Sequence, residues 1–208
     1  MNDLALWRKL KDGDQQALEK IYREQVNALL SYGKKLTKNE QLIEDAIQDL
    51  FIELWKNRNG LGDTDSIRRY LLTSLRRKII RMIQKQSKHA GSLEVEDLPF
   101  MATLGIDEQI MARESSAEKS QQLKMAMEQL SKRQKEVIYL KYYMELDYND
   151  IGEIMNLNYQ SVRNLAFNAL KSLKNRMLLW FGLFFSIFFE IFWVQKRFSG
   201  LISIKYLK

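Results

Sequence analysis

The chain has 208 residues and carries 33 Lys and Arg against 26 Asp and Glu, a formal net charge of +7. Its 46% hydrophobic content argues against wholesale disorder. The absence of cysteine excludes disulfides, thiolate zinc sites and a cysteine nucleophile, and the single histidine, His89, gives no anchor for a Ser/His/Asp hydrolase.

One proline and nine glycines leave few breaks in the chain, so the composition points to helices and a cytosolic setting. The basic excess points to a polyanionic partner without choosing between nucleic acid and membrane. Met1 to Lys11 is short, mixed and charged, unlike a signal peptide. Asn2 or Asp3 caps a short helix carrying Leu4, Trp7 and Leu10, which Gly13 stops. Asp14 caps a longer one, with Ala17, Leu18, Ile21, Tyr22, Leu29 and Leu36 near helical spacing. A third runs from about Asn39 to Trp55 on the stripe Ile43, Ile47, Leu50 and Leu54. After a glycine-containing loop, Asn57 to Asp63, a fourth runs from about Asp65 to Lys85, with Ile67, Leu71, Leu75, Ile79 and Met82 inward. These four helices, 1–85, form the first expected domain.

Residues 86–113 hold Gly91, Pro99 and Gly105 among Glu94, Glu96, Asp97, Asp107 and Glu108, and read as an acidic linker rather than a packed element. Helical pattern resumes at Glu114 and defines a second domain, 114–176. Within it Ser131 and Gln134 have capping-box spacing ahead of Val137, Ile138 and Leu140. Helices follow from about Asp147 to Met155 and from Tyr159 onward. The remainder, 177–208, opens with an apolar run from Met177 to Val194, broken by Gly182, Ser186 and Glu190. As a helix that run would be about 27 Å long, close to the ~30 Å bilayer core. Trp180 and Trp193 near its ends suit a membrane interface. The expectation is a helix spanning or lying in the membrane, with packing on protein as the alternative. The fold class expected is all-α: two small helical domains, an acidic linker and an apolar C-terminal helix.

Three constellations carry chemistry. Ile151 and Ile154 on one helix, and Val162, Ala166, Ala169 and Leu173 on the next, flank a turn in which Asn156 tolerates a left-handed backbone and Asn158 caps the second helix. That is a helix-turn-helix, whose second helix offers Gln160, Ser161, Arg163 and Asn164, with Lys171 further along, to the major groove. The alternative is an ordinary αα-hairpin with a solvated face. Second, Arg68 to Lys88 holds eight cations and no acid: Arg68, Arg69, Arg76, Arg77, Lys78, Arg81, Lys85 and Lys88. Arg77, Arg81, Lys85 and Lys88 form one stripe, suited to a nucleic-acid backbone, and Tyr70 could stack on unpaired bases. A solvated helix face is the plain alternative. Third, Glu44, Asp45, Gln48, Asp49 and Glu53 oppose the apolar stripe of the third helix. No histidine or second carboxylate cluster complements them as metal ligands, so they read as a protein-docking face or a solvated one.

In this order the pieces resemble the bacterial sigma-70 family of transcription initiation factors, in its extracytoplasmic-function group. LIEDAIQDLFIELW (42–55) is similar to region 2.2, RRYLLTSLRRKIIRMIQK (68–85) to the reader of the −10 element, and the stretch from Leu130 to Lys174 to region 4. The resemblance covers about Leu18 to Met177. It implies that Glu44, Asp45, Gln48 and Asp49 dock on the β′ clamp helices of core RNA polymerase. It implies −10 DNA contacts for Arg69, Arg76, Arg77, Lys78, Arg81 and Lys85. It also implies −35 contacts for Gln160, Ser161, Arg163, Asn164 and Lys171, and a linker that threads the RNA exit path. Arg77 stands where many members carry Asn, Asn168 where many carry Arg, and Leu165 at a commonly basic position, so the promoter sequence does not transfer.

The expected function is that of a sigma factor: a non-enzymatic, cofactor-free and metal-free protein that binds core polymerase and promoter DNA and directs initiation. An anti-sigma factor is a further expected partner, and the expected location is cytoplasmic, at the inner membrane if the tail binds it. The rival readings are a free-standing helix-turn-helix regulator, which needs neither the acidic face nor the linker, and a membrane-bound regulatory interaction protein, suggested by the tail.

Overall fold

A computed structural model describes residues 2–87, 100 and 117–175, and among these there is no strand. The first domain comprises α1 (Asp3–Lys11), α2 (Gln15–Leu36), α3 (Glu40–Lys56), a 3-10 turn at Arg58–Gly60 and α4 (Ile67–Ser87). Short polar side chains set the helix starts by accepting from N-terminal amides that lack an intrahelical partner. Asn2 accepts from the Ala5 N–H at 2.9 Å, Asp14 from Gln16 and Ala17, and Asn39 from Leu42. Ile43, Ile47, Leu50 and Leu54 of α3 are buried, as are Ile67, Leu71, Leu75 and Ile79 of α4. The close crossing of α2 and α3 depends on Gly33, where a Cβ would stand 2.6 Å from the Ile43 side chain. Trp7 is fully buried, and its indole N–H donates to the Gly62 carbonyl at 2.8 Å, tying α1 to the loop before α4.

Four inward assignments shift. Leu6 is buried in α1 while Leu4 is only half-buried. Tyr22 is exposed, packed edge-on to Phe51, and Leu18 and Met82 are half-buried. Leu18 and Met82 still pack against the core, partly covered.

The second domain comprises α5 (Ala117–Glu128), α6 (Lys132–Ile138), a π-helical turn at Tyr139–Tyr143, α7 (Tyr148–Met155) and α8 (159–175). The Ser131/Gln134 capping box forms at α6 in both directions. Between α7 and α8, Asn156 adopts φ 54°, ψ 51°, and Asn158 accepts from the Ser161 N–H at 2.8 Å. Gly152 is required here for its lack of a side chain: a Cβ would stand 2.7 Å from the Leu157 carbonyl oxygen. Ala126, Met127, Leu130, Ile138, Ala169 and Leu173 pack α5 and α8 together.

The two domains lie against one another. One continuous core takes in Tyr32, Leu71 and Leu75 from the first and Val137, Tyr139, Leu140 and Ile151 from the second. Tyr139 stacks on Tyr32 with ring centroids 6.3 Å apart and planes 10° apart. Phe100, from the stretch read as an unpacked linker, is buried with its ring 5.9 Å from that of Tyr139, so at this position the stretch is packed. The rest of that linker after Ser87 and the apolar tail lie outside the described residues. Among the described residues no helix is long and apolar enough to cross a membrane.

Candidate nucleic-acid interface

The inward turn of Ile43, Ile47 and Leu50 leaves Glu44, Asp45, Gln48 and Asp49 exposed together on the other side of α3. Gln41 steadies the face by donating to Asp45 Oδ1 at 2.9 Å. One α4 cation belongs partly to this face: Lys78 Nζ lies 2.7 Å from Glu53 Oε1 and 3.9 Å from Asp49 Oδ2.

The cations of α4 separate into two sets. Arg77, Arg81 and Lys85 are exposed at successive steps of four. They line one wall of an open groove of about 440 Å³ whose other wall carries Asp49 and Glu53. Tyr70 also lines this groove, half-buried and edge-on to Trp7 at 4.8 Å.

Arg69 and Arg76 point elsewhere. Arg76 is 9% exposed and donates from Nε and Nη2 to Glu136 Oε1 and Oε2 of α6, at 2.8 and 3.2 Å. Tyr32 of α2 donates its hydroxyl to the same Glu136 Oε1 at 2.6 Å. Arg69 donates to Asp150 of α7 at 2.8 Å, lies 3.0 Å from Glu153 of the same helix, and also pairs with Asp65. Leu72, between them at steps of three and four, shares their face and is fully buried.

Electrostatics follow this geometry. Burial opposes the charge of Arg76, but Glu136 more than offsets it and holds the guanidinium above its ordinary value. Arg69 is likewise held up, against burial, by its bonds to Asp150 and Asp65. Tyr32 is pushed well above the usual phenol range by burial and then by the Glu136 charge. It stays protonated and remains a donor.

On α8, Gln160, Arg163, Asn164 and Lys171 are exposed and Ser161 is half-buried. Gln160 Nε2 donates to Asn164 Oδ1 at 3.1 Å, and the Arg163 guanidinium lies 5.7 Å from the Tyr159 ring centroid. Both side chains are thus held over the N-terminal turns of the helix, where amide and guanidinium groups reach base edges. Among the described residues no group of His, Asp or Glu is arranged to hold a metal ion.

The residues that sequence reading passed over are Glu136, Asp150 and Glu153, the acids that engage α4. The signal for them was indirect. An eight-cation run without an acid leaves its partners to come from elsewhere, and Glu136 sits directly against the apolar run Val137, Ile138, Tyr139 and Leu140.

Comparison with known proteins supports the same division. The family model Sigma-70 region 2 matches residues 21–89 and Sigma-70, region 4 matches 120–173, together more than half of the chain. RNA polymerase sigma factor YlaC of Bacillus subtilis is 24% identical over 162 residues, covering 77% of this chain and 92% of YlaC. ECF RNA polymerase sigma factor SigM of the same organism is also 24% identical, covering 76% of this chain and 96% of SigM. In fold, the chain is similar to CnrH, solved in complex with the cytosolic domain of CnrY, with a TM-score of 0.56 at 16% identity over 84% of this chain and 96% of that one. It is also similar in fold to the co-crystal structure of the sigma factor RpoE with the anti-sigma factor NepR from Bartonella quintana, with a TM-score of 0.53 at 18% identity over 76% of this chain and 95% of that one.

Proposed function

The chain belongs to the sigma-70 family of RNA polymerase sigma factors, in its extracytoplasmic-function group, and we propose that it directs promoter-specific initiation by core RNA polymerase. As a sigma factor it is not an enzyme; the phosphoryl chemistry belongs to the polymerase. In this reading Glu44, Asp45, Gln48 and Asp49 dock on the polymerase. Gln160, Ser161, Arg163 and Asn164 read the −35 duplex, with Lys171 on its backbone. Arg77, Arg81 and Lys85, joined by Arg69, Arg76 and Lys78 once these are released, hold the −10 strand.

The observation that carries this reading is the presence in one chain of two exposed polar surfaces. One is the acidic face of α3; the other is the N-terminal face of the second helix of a helix-turn-helix. An anti-sigma protein is a fitting regulator, since both fold relatives above were solved with a bound protein partner. The place of action is the cytoplasm, where DNA and polymerase are. Membrane association of residues 177–194 rests on their apolar sequence alone. Fractionation of the full chain beside residues 1–176 tests it.

The deciding experiment is run-off transcription with purified core polymerase and the full chain on promoter-containing genomic fragments. Discrete products that depend on the chain are expected. Specific duplex binding without core association or product would favour a free-standing regulator.

A further inference from the structure

Resting on the reading of the groove beside α4 as a site for a single DNA strand, we infer that α1 is the positioning element of that site. It braces the loop 57–66, one wall of the groove, and Asp63 is the loop's point of attachment. Asp3, Trp7 and Lys11 recur at steps of four and so share one face of α1. Each of them holds the chain between α3 and α4. Trp7 donates its indole N–H to the Gly62 carbonyl at 2.8 Å. Lys11 Nζ and the neighbouring Arg8 Nη2 donate to the two carboxylate oxygens of Asp63, at 2.9 and 3.0 Å. Asp3 Oδ2 accepts from the Ile67 N–H at 2.9 Å, capping the first residue of α4 from a different helix.

The braced loop reaches the groove. Asn57 and Leu61 line it together with Tyr70, Ser74, Arg77 and Arg81. Trp7, fully buried, touches both sides: its N–H holds Gly62, next to Leu61, and its ring meets Tyr70 edge-on at 4.8 Å. One indole thus sets the spacing between the loop and the tyrosine. The first half of the loop closes on itself, with the Leu61 N–H donating to the Arg58 carbonyl at 3.3 Å. Beyond Leu61 the hold on Gly62 and Asp63 comes from α1. A Cβ at Gly60 or at Gly62 would meet nothing within 4 Å, so close packing does not fix this stretch.

The charge of Asp63 gives the inference a sign. Two residues of chain place the Asp63 Cα at most about 7 Å from that of Leu61. That is within the ~8 Å screening length at physiological salt, so the carboxylate repels a strand in the groove. By charge alone, removing Asp63 should tighten strand binding. As the point of attachment, its removal releases the loop and should weaken binding. The two roles of Arg8 and Lys11 separate in the same way. A cation on a phosphate contributes to the salt dependence of binding, whereas a cation that only holds Asp63 does not.

The test uses the full chain and a short mixed-sequence DNA single strand, with affinity read by fluorescence anisotropy across a salt series. Asp63→Ala, the pair Arg8→Gln with Lys11→Met, and all three changes together are compared with the parent. Exposed ion pairs add little stability, so the urea midpoints should stay at the parent value. If Asp63→Ala fails to fold, Asp63→Asn, which keeps the side chain's shape, replaces it. Asp63→Ala is expected to bind about fivefold more weakly, the low end of coupling between distinct sites. The Arg8/Lys11 pair should lose a similar factor with the parent's salt slope, and the triple variant should lose no more than the pair. Binding by Asp63→Ala as tight as the parent's, or tighter, overturns the inference. So does a salt slope that falls by about 0.7 for each cation removed, which would make Arg8 and Lys11 phosphate contacts. A parent chain that binds no strand would overturn the reading of the groove, and the inference with it. Run-off transcription by the parent on the same preparation reads the sigma-factor assignment separately.

Discussion

Arg76 of α4 and Glu136 of α6 form a two-point ion pair across the domain interface, with Arg76 9% exposed and Glu136 4% exposed. A buried pair of this kind adds little net stability, because removing both ions from water costs about what their attraction returns. Its consequence is asymmetry: removing one partner leaves the other charged and buried.

Glu136→Ala is therefore expected to destabilise the closed chain by about 3–5 kcal/mol. The double change Arg76→Met with Glu136→Leu should recover most of that loss, since it removes both charges and refills the space. Urea transitions followed by circular dichroism compare the three proteins. A double variant as unstable as Glu136→Ala would show that the pair itself is not the source of the cost.

The tyrosines give a pH dependence of definite sign. Tyr32 is raised well above its ordinary value by burial and then by Glu136, and Tyr139 is raised by burial and then by Tyr143. Above about pH 10 the unfolded chain loses these phenolic protons while the folded chain keeps them. The unfolded state then binds fewer protons, so stability present below about pH 10 falls as pH rises toward the folded values. Tyr32→Phe and Tyr139→Phe should each flatten this alkaline limb relative to the parent. At pH 7 the two differ. Tyr32→Phe removes a donor to Glu136 and should cost about 1–3 kcal/mol. The buried Tyr139 hydroxyl has no hydrogen-bond partner among the described residues, so Tyr139→Phe should be near neutral.

If the acidic face of α3 is the docking surface we propose, Asp49→Arg should weaken core polymerase association by several kcal/mol, through reversed charge. Asp49 is exposed, and its nearest cation, Lys78, is better paired with Glu53. Helicity should be unchanged. Association by surface plasmon resonance, beside the circular dichroism spectrum, reads both.

How much of the fold and the site is legible in the sequence depends on the range of the interaction. The caps at Asn2, Asp14, Asn39, Ser131 and Asn158, and the left-handed turn at Asn156, are local and follow from spacing. The exposed faces of α3 and α8 follow from periodicity, because their opposite faces are continuous apolar stripes. The fate of Arg69 and Arg76 is not legible. Arg76 and Arg77 are adjacent cations in one run, yet one is buried and the other exposed, and the difference is made by Glu136, sixty positions away. The π-helical turn at Tyr139–Tyr143 and the left-handed Glu145, φ 57°, also carry no local signature. Both lie in the segment that connects α6 to α7.

The proposed base reading by α8 makes a separate prediction. Arg163→Ala or Gln160→Ala should each cost about 1–3 kcal/mol on a −35 duplex and relax preference at one or two positions. Competition binding against a set of single-base variants reads this. An equal loss on every sequence would make the residue a backbone contact.

The two sets of α4 cations should respond differently to substitution and to salt. Arg81 and Lys85 are exposed on the groove beside α3, so Arg81→Ala or Lys85→Ala should leave folding intact and reduce strand binding. Removing one phosphate-binding cation should lower the slope of log affinity against log salt by about 0.7 for a single strand. Arg76→Ala acts on two equilibria at once. It removes a cation from the proposed strand site, but it also leaves Glu136 without its buried partner and loosens the interface between the domains. Arg76→Ala should therefore lower energy transfer between dyes carried at Lys9→Cys and Lys174→Cys, exposed positions of the first and second domain, whereas Arg81→Ala should leave that transfer unchanged. Anisotropy across a salt series, with energy transfer measured on the same samples, separates the two effects. If Arg81→Ala opens the domains as Arg76→Ala does, the division of α4 into a solvent-facing set and an interface set is wrong.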